Sequence, residues 1–279
     1  SKIKSDVIGR IYERLIPLSE RKALGQYYTP PQIVDLIVRL TLKDPNAKVL
    51  DPACGSGSFL VKAYHRLLEL KGKEKATNQK EHQQILNQVV GVEINQFPAH
   101  LSVINLEMQN IAFKSDQINV LVSDFFDVRN FGFNNHHRLA SLDKGDARSG
   151  TYRFFDAAVA NPPYIRQERI KQKEKLLQLM KHYGVKLDRT SDVYSYFFAH
   201  VSNFLTPHGR LGFITSNKWL EVKYGESLQK FFLANHRILT VIEFDAGAFE
   251  EALVNTCVVI LEKEKDAARR DTNVVKFVR

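Results

Sequence analysis

Apolar residues along the chain follow two alternating patterns. Short runs rich in β-branched and aromatic residues predict strands, and stretches with apolar residues at helical spacing predict helices. The predicted strands are residues 48–50, 89–94, 118–122, 155–160, 210–215, 238–244 and 256–261. The predicted helices include 59–70, 97–111, 193–205 and 227–235, and an earlier one over 30–40. This alternation indicates an α/β fold with a mainly parallel sheet, and the last two strands form an antiparallel hairpin at its edge.

Three segments fall outside this rhythm. Residues 3–16 hold apolar positions at helical spacing, and residues 1–24 are predicted to form a helical lead-in to a main domain over 25–279. Thr29 is the predicted N-cap of the helix that follows. Residues 71–88 are polar and predict a solvated extension, and residues 129–152 predict a long surface loop.

Composition limits the function classes. The 279 residues are 44% apolar and 25% charged, which fits one large folded domain. No apolar run is long enough to span a membrane, and no secretory signal is visible. Two cysteines exclude a disulfide scaffold and fit a reducing cytoplasm. The net charge of +9 favours a polyanionic partner, with nucleic acid first.

A glycine-bearing turn joins the first strand to the next helix. The sequence VLDPACGSGSFL covers residues 49–60, and Gly55 and Gly57 allow the backbone to approach a ligand. The third glycine of a dinucleotide fingerprint is missing. Asp51 stands at the strand end, where it repels a pyrophosphate and suits a cationic ligand such as an ammonium group.

Acids also stand at the ends of the next two strands. Glu93 closes the second strand, where a carboxylate accepts ribose hydroxyls. Asp124 follows the third strand, where it can accept an adenine amine while Phe125 lies on the adenine face. Each acid alone could simply cap a following helix. Three acids at consecutive strand ends beside a glycine turn instead predict a nucleoside cofactor.

The fourth strand ends in the sequence NPPY at residues 161–164. Two prolines fix φ and remove two backbone donors, which leaves a rigid corner of acceptors. The side-chain oxygen of Asn161 and the carbonyl of Pro162 can hold both hydrogens of a planar amino group. Tyr164 offers a ring on which a base can stack. A plain strand-ending turn is the other interpretation, and the neighbouring glycine turn and acids favour the functional one.

These motifs together resemble those of gamma-class adenine-N6 DNA methyltransferases of restriction–modification systems. The shared motifs run in family order: QYYTPP at 26–31, DPACGSGSFL at 51–60, GVEIN at 91–95, SDFF at 123–126, NPPY at 161–164 and GRLGFITSNKWL at 209–220. The resemblance implies a Rossmann-like fold with a seven-stranded, mainly parallel sheet whose last strand is antiparallel. It also implies S-adenosylmethionine as the cofactor and a type I or type IIG setting.

The resemblance also implies site residues. Those similar to the family's cofactor contacts are Thr29, Asp51, Ala53, Cys54, Gly55, Gly57, Glu93, Ile94, Asp124, Phe125, Asn161 and Phe197. Those similar to its catalytic corner are Asn161, Pro162 and Tyr164, with Phe249 as a second aromatic that packs on the flipped base.

The expected partners follow from charge and from the length of the chain. Residues 166–189 hold eight Lys or Arg against three acids, which suits DNA phosphates and is also compatible with a solvated amphipathic helix. Eighteen residues follow Leu261, too few for the family's target-recognition domain. Sequence choice on double-stranded DNA is therefore expected from a specificity subunit or a missing C-terminal continuation, and a nuclease domain or subunit is a further possible partner.

Other functions stay open on the sequence alone. NPPY also serves methyltransferases of cytosine N4, of an RNA base or of a protein glutamine. A non-catalytic subunit that holds DNA or cofactor is the rival from another class, and the intact acids argue against it. No metal site is predicted, because His136 and His137 are adjacent and lack a second ligand pair at suitable spacing.

Overall fold

The computed structural model describes residues 29–133, 139–143, 154–244 and 255–279. The helices in these ranges are α1 (Pro31–Thr41), α2 (Ser58–Leu70), α3 (Gln79–Gln88), α4 (Gln96–Glu107), α5 (Lys173–His182), α6 (Val193–Phe204), α7 (Gly225–Asn235) and α8 (Ala267–Asp271). The strands are β1 (Val49–Asp51), β2 (Val89–Glu93), β3 (Asn119–Val122), β4 (Asn130–Phe133), β5 (Leu139–Asp143), β6 (Phe155–Ala160), β7 (Leu205–Ser216), β8 (His236–Phe244), β9 (Thr256–Lys263) and β10 (Lys276–Val278).

The main sheet has eight strands within the described ranges, in the order β10-β8-β9-β7-β6-β1-β2-β3. Only β9 runs against its neighbours, so the predicted mainly parallel α/β sheet is confirmed. The predicted hairpin of the last two strands exists, but it does not close the edge. Strand β9 lies between β7 and β8, and β10 adds a parallel edge strand beyond β8 that the sequence analysis did not anticipate.

Helices cover both faces of the sheet, and the side chains of each strand alternate between two hydrophobic clusters. In β1, Leu50 enters the cluster beneath α5, α6 and α7, whereas Val49 enters the cluster beneath α1, α2 and α3. In β6, Ala158 and Val159 divide in the same way. Burial on both faces explains why these strands are uninterrupted apolar runs in the sequence.

Two predictions about irregular segments were wrong. Residues 79–88 of the supposed solvated extension form α3, whose N-cap Asn78 accepts a hydrogen bond from the backbone N–H of Glu81. Ile85 and Leu86 of this helix are buried. Within the supposed surface loop, β4 and β5 pair as an antiparallel ribbon, and Phe131 of β4 is buried against Phe155.

Thr29 does not cap α1 as predicted. The N-cap is Pro30, without a side-chain cap, and a proline occupies the first helical position. The lead-in over residues 1–24 lies outside the described residues. Across the part of the chain that the structure describes, no helix is both long and apolar enough to cross a bilayer.

Candidate active site

The sheet order brings the predicted site residues to one edge. Strands β6, β1, β2 and β3 are neighbours and run in parallel, so their carboxyl ends lie side by side. Asp51 ends β1, Glu93 ends β2, and Asn161 directly follows β6. This edge of a parallel sheet is where ligands bind in open α/β folds.

The glycine turn after β1 is tied down by hydrogen bonds to both neighbours. The backbone N–H of Cys54 donates to the Val92 carbonyl at 3.0 Å, and that of Gly55 donates to Glu93 Oε2 at 3.0 Å. On the other side, Ser102 Oγ of α4 donates to the Gly55 carbonyl at 2.7 Å. The turn therefore cannot move independently of β2 and α4.

The two glycines of this turn have different roles. Both have positive φ, +53° at Gly55 and +95° at Gly57. A Cβ added at Gly55 would meet nothing within 4 Å among the described residues, whereas one at Gly57 would come within 2.9 Å of Ser102 Oγ. Space for a ligand therefore exists beside Gly55. Gly57 allows close packing of the turn on α4, and a ligand contact at this glycine stays a prediction.

Two buried carboxyls face this turn. Asp51 Oδ1 accepts the Ala53 N–H at 3.1 Å, and Asp51 Oδ2 is buried with no hydrogen-bond donor among the described residues. Burial raises the pKa of Asp51 well above its usual range, and the nearby charge of Glu93 raises it further. Glu93 Oε2 and Oε1 accept the N–H groups of Gly55 and Asn95, and burial also raises the Glu93 pKa.

Cys54 is packed into the protein rather than presented to a ligand. Its Sγ lies 3.6 Å from Ser102 Oγ, and a Cβ added at Gly91 of β2 would come within 2.8 Å of it. Burial raises the pKa of this thiol well above its usual range. Ala53, the residue before it, is partly buried against the core and contributes its N–H to Asp51.

The end of β3 carries Asp124 and Phe125. Asp124 Oδ1 accepts the Phe126 N–H at 2.9 Å, so Oδ1 caps a short 3-10 turn and Oδ2 takes no part in the cap. Lys175 of α5 lies 3.9 Å from that oxygen and 2.5 Å from Asp127 Oδ1. Ile94, after Glu93, is an exposed apolar side chain at this edge.

The sequence analysis expected the Phe125 ring to lie on the adenine face at the strand end. The structure differs. The ring is buried, stacks on Phe197 at a centroid distance of 5.7 Å, and meets His200 edge-on at 4.6 Å. Phe197 is likewise buried, and it also packs against Phe126. These aromatic rings pack together in the core next to the end of β3.

A buried histidine that the sequence did not single out contacts these rings. His200 Nε2 lies 3.0 Å from the Phe125 carbonyl, to which it donates, and Nδ1 lies 2.8 Å from the Tyr183 hydroxyl. Burial lowers the His200 pKa to about 3, so the ring is neutral. Its signal in the sequence was weak, because one histidine among apolar residues of a helix has no distinctive spacing.

The corner after β6 connects to the start of α1. Asn161 Nδ2 donates to Thr29 Oγ1 at 3.0 Å, so the Thr29 hydroxyl contacts this corner. Pro162 is buried, and Asn161 and Tyr164 are half-buried. Phe249, the remaining predicted residue of this corner, lies outside the described residues.

The basic segment after NPPY is partly an amphipathic helix. Leu176, Leu179 and Met180 of α5 are buried against the core. Arg166, Arg169 and Lys171 precede the helix and are exposed. Both interpretations of this segment are therefore compatible with its position. Within the described residues, no group of three or more His, Cys, Asp or Glu side chains has the geometry of a metal site.

Comparison with known proteins identifies the family. The sequence profile of the family described as N-6 DNA Methylase matches residues 3–278. The chain belongs to the N-6 DNA methylase family. Among its relatives is the type II methyltransferase M.BstVI of Geobacillus stearothermophilus, 30% identical over 262 residues, which cover 91% of this chain and 44% of that protein.

A second relative is the methylase subunit of the type I restriction enzyme MpnII from Mycoplasma pneumoniae. It is 25% identical, and the match covers 94% of this chain and 45% of the relative. The chain thus spans less than half the length of both. A solved structure from Listeria monocytogenes, described as a class I S-adenosylmethionine-dependent methyltransferase, shares the fold with a TM-score of 0.61 at 19% identity, covering 91% of this chain and 66% of that one.

Proposed function

We propose that this chain is the catalytic part of an S-adenosylmethionine-dependent methyltransferase that modifies the N6 amino group of adenine in DNA, within a restriction–modification system. The observation that carries this proposal is the pair of buried carboxyls beside the glycine turn. Asp51 and Glu93 lie close enough to raise the pKa of Asp51, yet neither forms a salt bridge among the described residues. A cationic ligand with hydroxyl groups would supply what they lack.

The residues present fit this cofactor. Asp51 Oδ2, buried and without a donor among the described residues, suits the ammonium group of the methionine moiety. Glu93 is held by two backbone N–H groups and keeps lone pairs for ribose hydroxyls. The open space beside Gly55 admits the ligand, and Ile94 and Asp124 are proposed as the adenine contacts. When bound, S-adenosylmethionine supplies an electrophilic methyl group on sulfonium.

We assign the remaining predicted cofactor residues to supporting positions. Thr29 forms a hydrogen bond with Asn161 and thereby contacts the acceptor corner. Ala53, Cys54 and Gly57 shape the turn, and Phe125 and Phe197 hold the end of β3.

The acceptor corner acts by position and by neutral acceptors. Because Asn161 Nδ2 is directed to Thr29, the amide carbonyl oxygen is the acceptor for an incoming amino group. That oxygen and the Pro162 carbonyl hold the two amine hydrogens and turn the nitrogen lone pair out of conjugation. The target adenine leaves the duplex and stacks on Tyr164. Phe249 is proposed for the other face of the base, because β8 ends and β9 begins at this same edge.

Double-stranded DNA is the proposed partner. The net charge is +9, and the exposed Arg166, Arg169 and Lys171 follow the acceptor corner directly. Charges of this kind neutralise phosphates without reading sequence. Sequence choice is assigned to a specificity subunit or to a recognition domain of a longer protein, and cleavage to a separate nuclease domain or subunit. The reduced, buried cysteines fit action in the cytoplasm.

Family membership favours adenine in DNA over cytosine N4, an RNA base or a protein glutamine as the acceptor. The test is methyl transfer from labelled cofactor to DNA, RNA and protein in parallel, followed by nucleoside analysis of the labelled product. We expect N6-methyladenine from DNA. Label in N4-methylcytosine, in RNA or in glutamine would replace the proposal with the corresponding alternative. No label in any substrate from the complete assembly, with the cofactor bound, would favour a non-catalytic subunit.

A variant separates the two halves of the site. Asn161→Ala should abolish methyl transfer and leave cofactor affinity nearly intact, because Asn161 acts on the acceptor amine. Asn203→Ala on α6 is the matched control, since its amide donates to the Ala199 carbonyl within its own helix. An Asn161→Ala enzyme that keeps most of its turnover would place the catalytic corner elsewhere.

A further inference from the structure

A small hydrogen-bond network lies beside the acceptor corner and centres on Asp192, the residue before α6. Asp192 Oδ1 accepts the backbone N–H of Gln167 at 3.1 Å, and Asp192 Oδ2 accepts the hydroxyl of Tyr224 at 3.0 Å. The Tyr224 hydroxyl also lies 3.3 Å from that of Tyr194. The carboxyl thus has a separate partner on each oxygen.

These partners come from segments that border the acceptor corner. Gln167 lies shortly after Tyr164, and the Ile165 carbonyl between them accepts the N–H of Val193 at 3.0 Å. The chain leaving NPPY is therefore fastened at two points to the start of α6. Tyr224 belongs to the segment after β7, the strand that pairs with β6. Asp192 consequently links the segments that follow β6 and β7 to the start of α6.

The surroundings of Asp192 are those of a positioning group rather than of an ion pair. Among the described residues, no Lys or Arg lies within salt-bridge distance of it, and Lys218 acts only through its longer-range charge. Burial raises the pKa of Asp192, and it raises that of Tyr224 to about 12. An acid that is costly to bury is held here by two directed hydrogen bonds, both to segments beside the corner.

We infer that Asp192 is a positioning residue for the acceptor base, which it serves by fixing the backbone after Tyr164 and with it the ring on which the base stacks. This inference rests on the proposed function. The positioning role of Asp192 depends on the geometry of its two hydrogen bonds and not on the charge of the carboxylate. Small displacements of a stacking group can cost large factors in turnover.

The experiment compares Asp192→Ala, Asp192→Asn and Tyr224→Phe in the assembly that methylates DNA. Asp192→Ala loses both bonds and should lower kcat at least about tenfold, with cofactor affinity within about twofold of the wild type. In Asp192→Asn the carbonyl still accepts from Gln167 and the amide donates to the Tyr224 oxygen. It should therefore recover turnover to within about threefold of the wild type. Tyr224→Phe removes one bond and should fall between the two.

A matched control is Tyr64→Phe, which removes a buried tyrosine hydroxyl that lies 2.7 Å from His82 Nδ1, in the cluster beneath α1, α2 and α3. It should leave kcat unchanged even where the melting temperature falls. Wild-type turnover in Asp192→Ala, or an Asp192→Asn variant as inactive as Asp192→Ala, would overturn the inference; the latter result would show that the charge is needed. A wild-type assembly without methyl transfer would instead overturn the proposed function itself.

Discussion

Two regions of the sheet bury carboxylates, and they differ in whether a nearby cation neutralises the buried charge. In the antiparallel end, Glu262 of β9 is buried between Arg210 of β7 and Arg237 of β8. The two guanidinium groups lie 3.0 and 2.9 Å from its two carboxylate oxygens. Both arginines are the register partners of Glu262 on the neighbouring strands, so the strand pairing itself brings the opposite charges together.

At the carboxyl ends of β1 and β2, no such cation is present among the described residues. Asp51 and Glu93 accept hydrogen bonds from neutral N–H groups, and the pKa of each is raised by burial. The difference shows that this chain can neutralise a buried acid when stability is all that is required. We interpret the uncompensated acids as a site whose positive charge and hydroxyl donors come with the ligand.

The largest effect is expected from Asp51→Asn. This change removes the anion and keeps an oxygen that accepts the Ala53 N–H. S-adenosylmethionine affinity, measured by calorimetry, should fall about 100-fold, as expected for the loss of one charge-assisted contact. Asp156→Asn is the control, because Asp156 accepts the Lys48 N–H at the opposite edge of the sheet. Equal affinities of the Asp51→Asn variant and the wild type would remove the contrast between the two regions.

Glu93→Ala should weaken cofactor binding at least about tenfold, because the carboxylate is expected to accept ribose hydroxyls. Glu93 also holds the Gly55 N–H, so circular dichroism must show that the fold persists. Glu93→Gln keeps one acceptor oxygen and should bind with intermediate affinity. Wild-type affinity in the alanine variant would mean that Glu93 only supports the turn.

Glu262→Gln should have a smaller and different effect. The half-exposed arginines lose their ion pairs but keep some solvation. The free energy of unfolding should therefore fall by about 1 kcal/mol, which lowers the melting temperature by about 2–4 °C. Cofactor affinity should not change. A loss of affinity comparable with that of Asp51→Asn would show that the two regions are not functionally distinct.

The smallest effect concerns pH and stability without cofactor. Because the folded-state pKa of Asp51 is raised, ionisation of the carboxyl costs stability as pH rises above the unfolded value of 3.8. Asp51→Asn removes that cost. The melting temperatures of variant and wild type should agree near about pH 4, and the variant should melt increasingly higher as the pH rises from there. A difference that shrinks as pH rises would contradict the assignment of the raised pKa.

The sequence predicted the central strands well for a physical reason. Strands β1 and β2 are buried on both faces and are therefore continuous apolar runs. It missed β10, whose three residues are all exposed, and it missed α3, where half of the buried residues are the polar His82 and Gln83. The local pattern of apolar residues indicates which positions are buried. It does not reveal an element that is exposed or one that buries polar side chains.

The candidate site was predictable where topology alone places residues, and not where side-chain direction decides. Acids at the ends of adjacent parallel strands must share an edge, which holds for Asp51 and Glu93. The hydrogen bond between Asn161 and Thr29 joins residues 132 positions apart, and no local signal indicates it. The inward turn of the Phe125 ring depends on His200 and Phe197 of another helix. Contacts of this kind are set by tertiary packing.

The most direct test asks whether Asp51 holds the ammonium group of the cofactor. Calorimetry would compare S-adenosylmethionine with an analogue in which hydrogen replaces the α-amino group, on the wild type and on Asp51→Asn. If Asp51 pairs with that group, the loss of about 100-fold caused by the substitution should shrink to less than about threefold with the analogue. The same loss with both ligands would show that the Asp51 carboxyl does not bind the ammonium group of the cofactor.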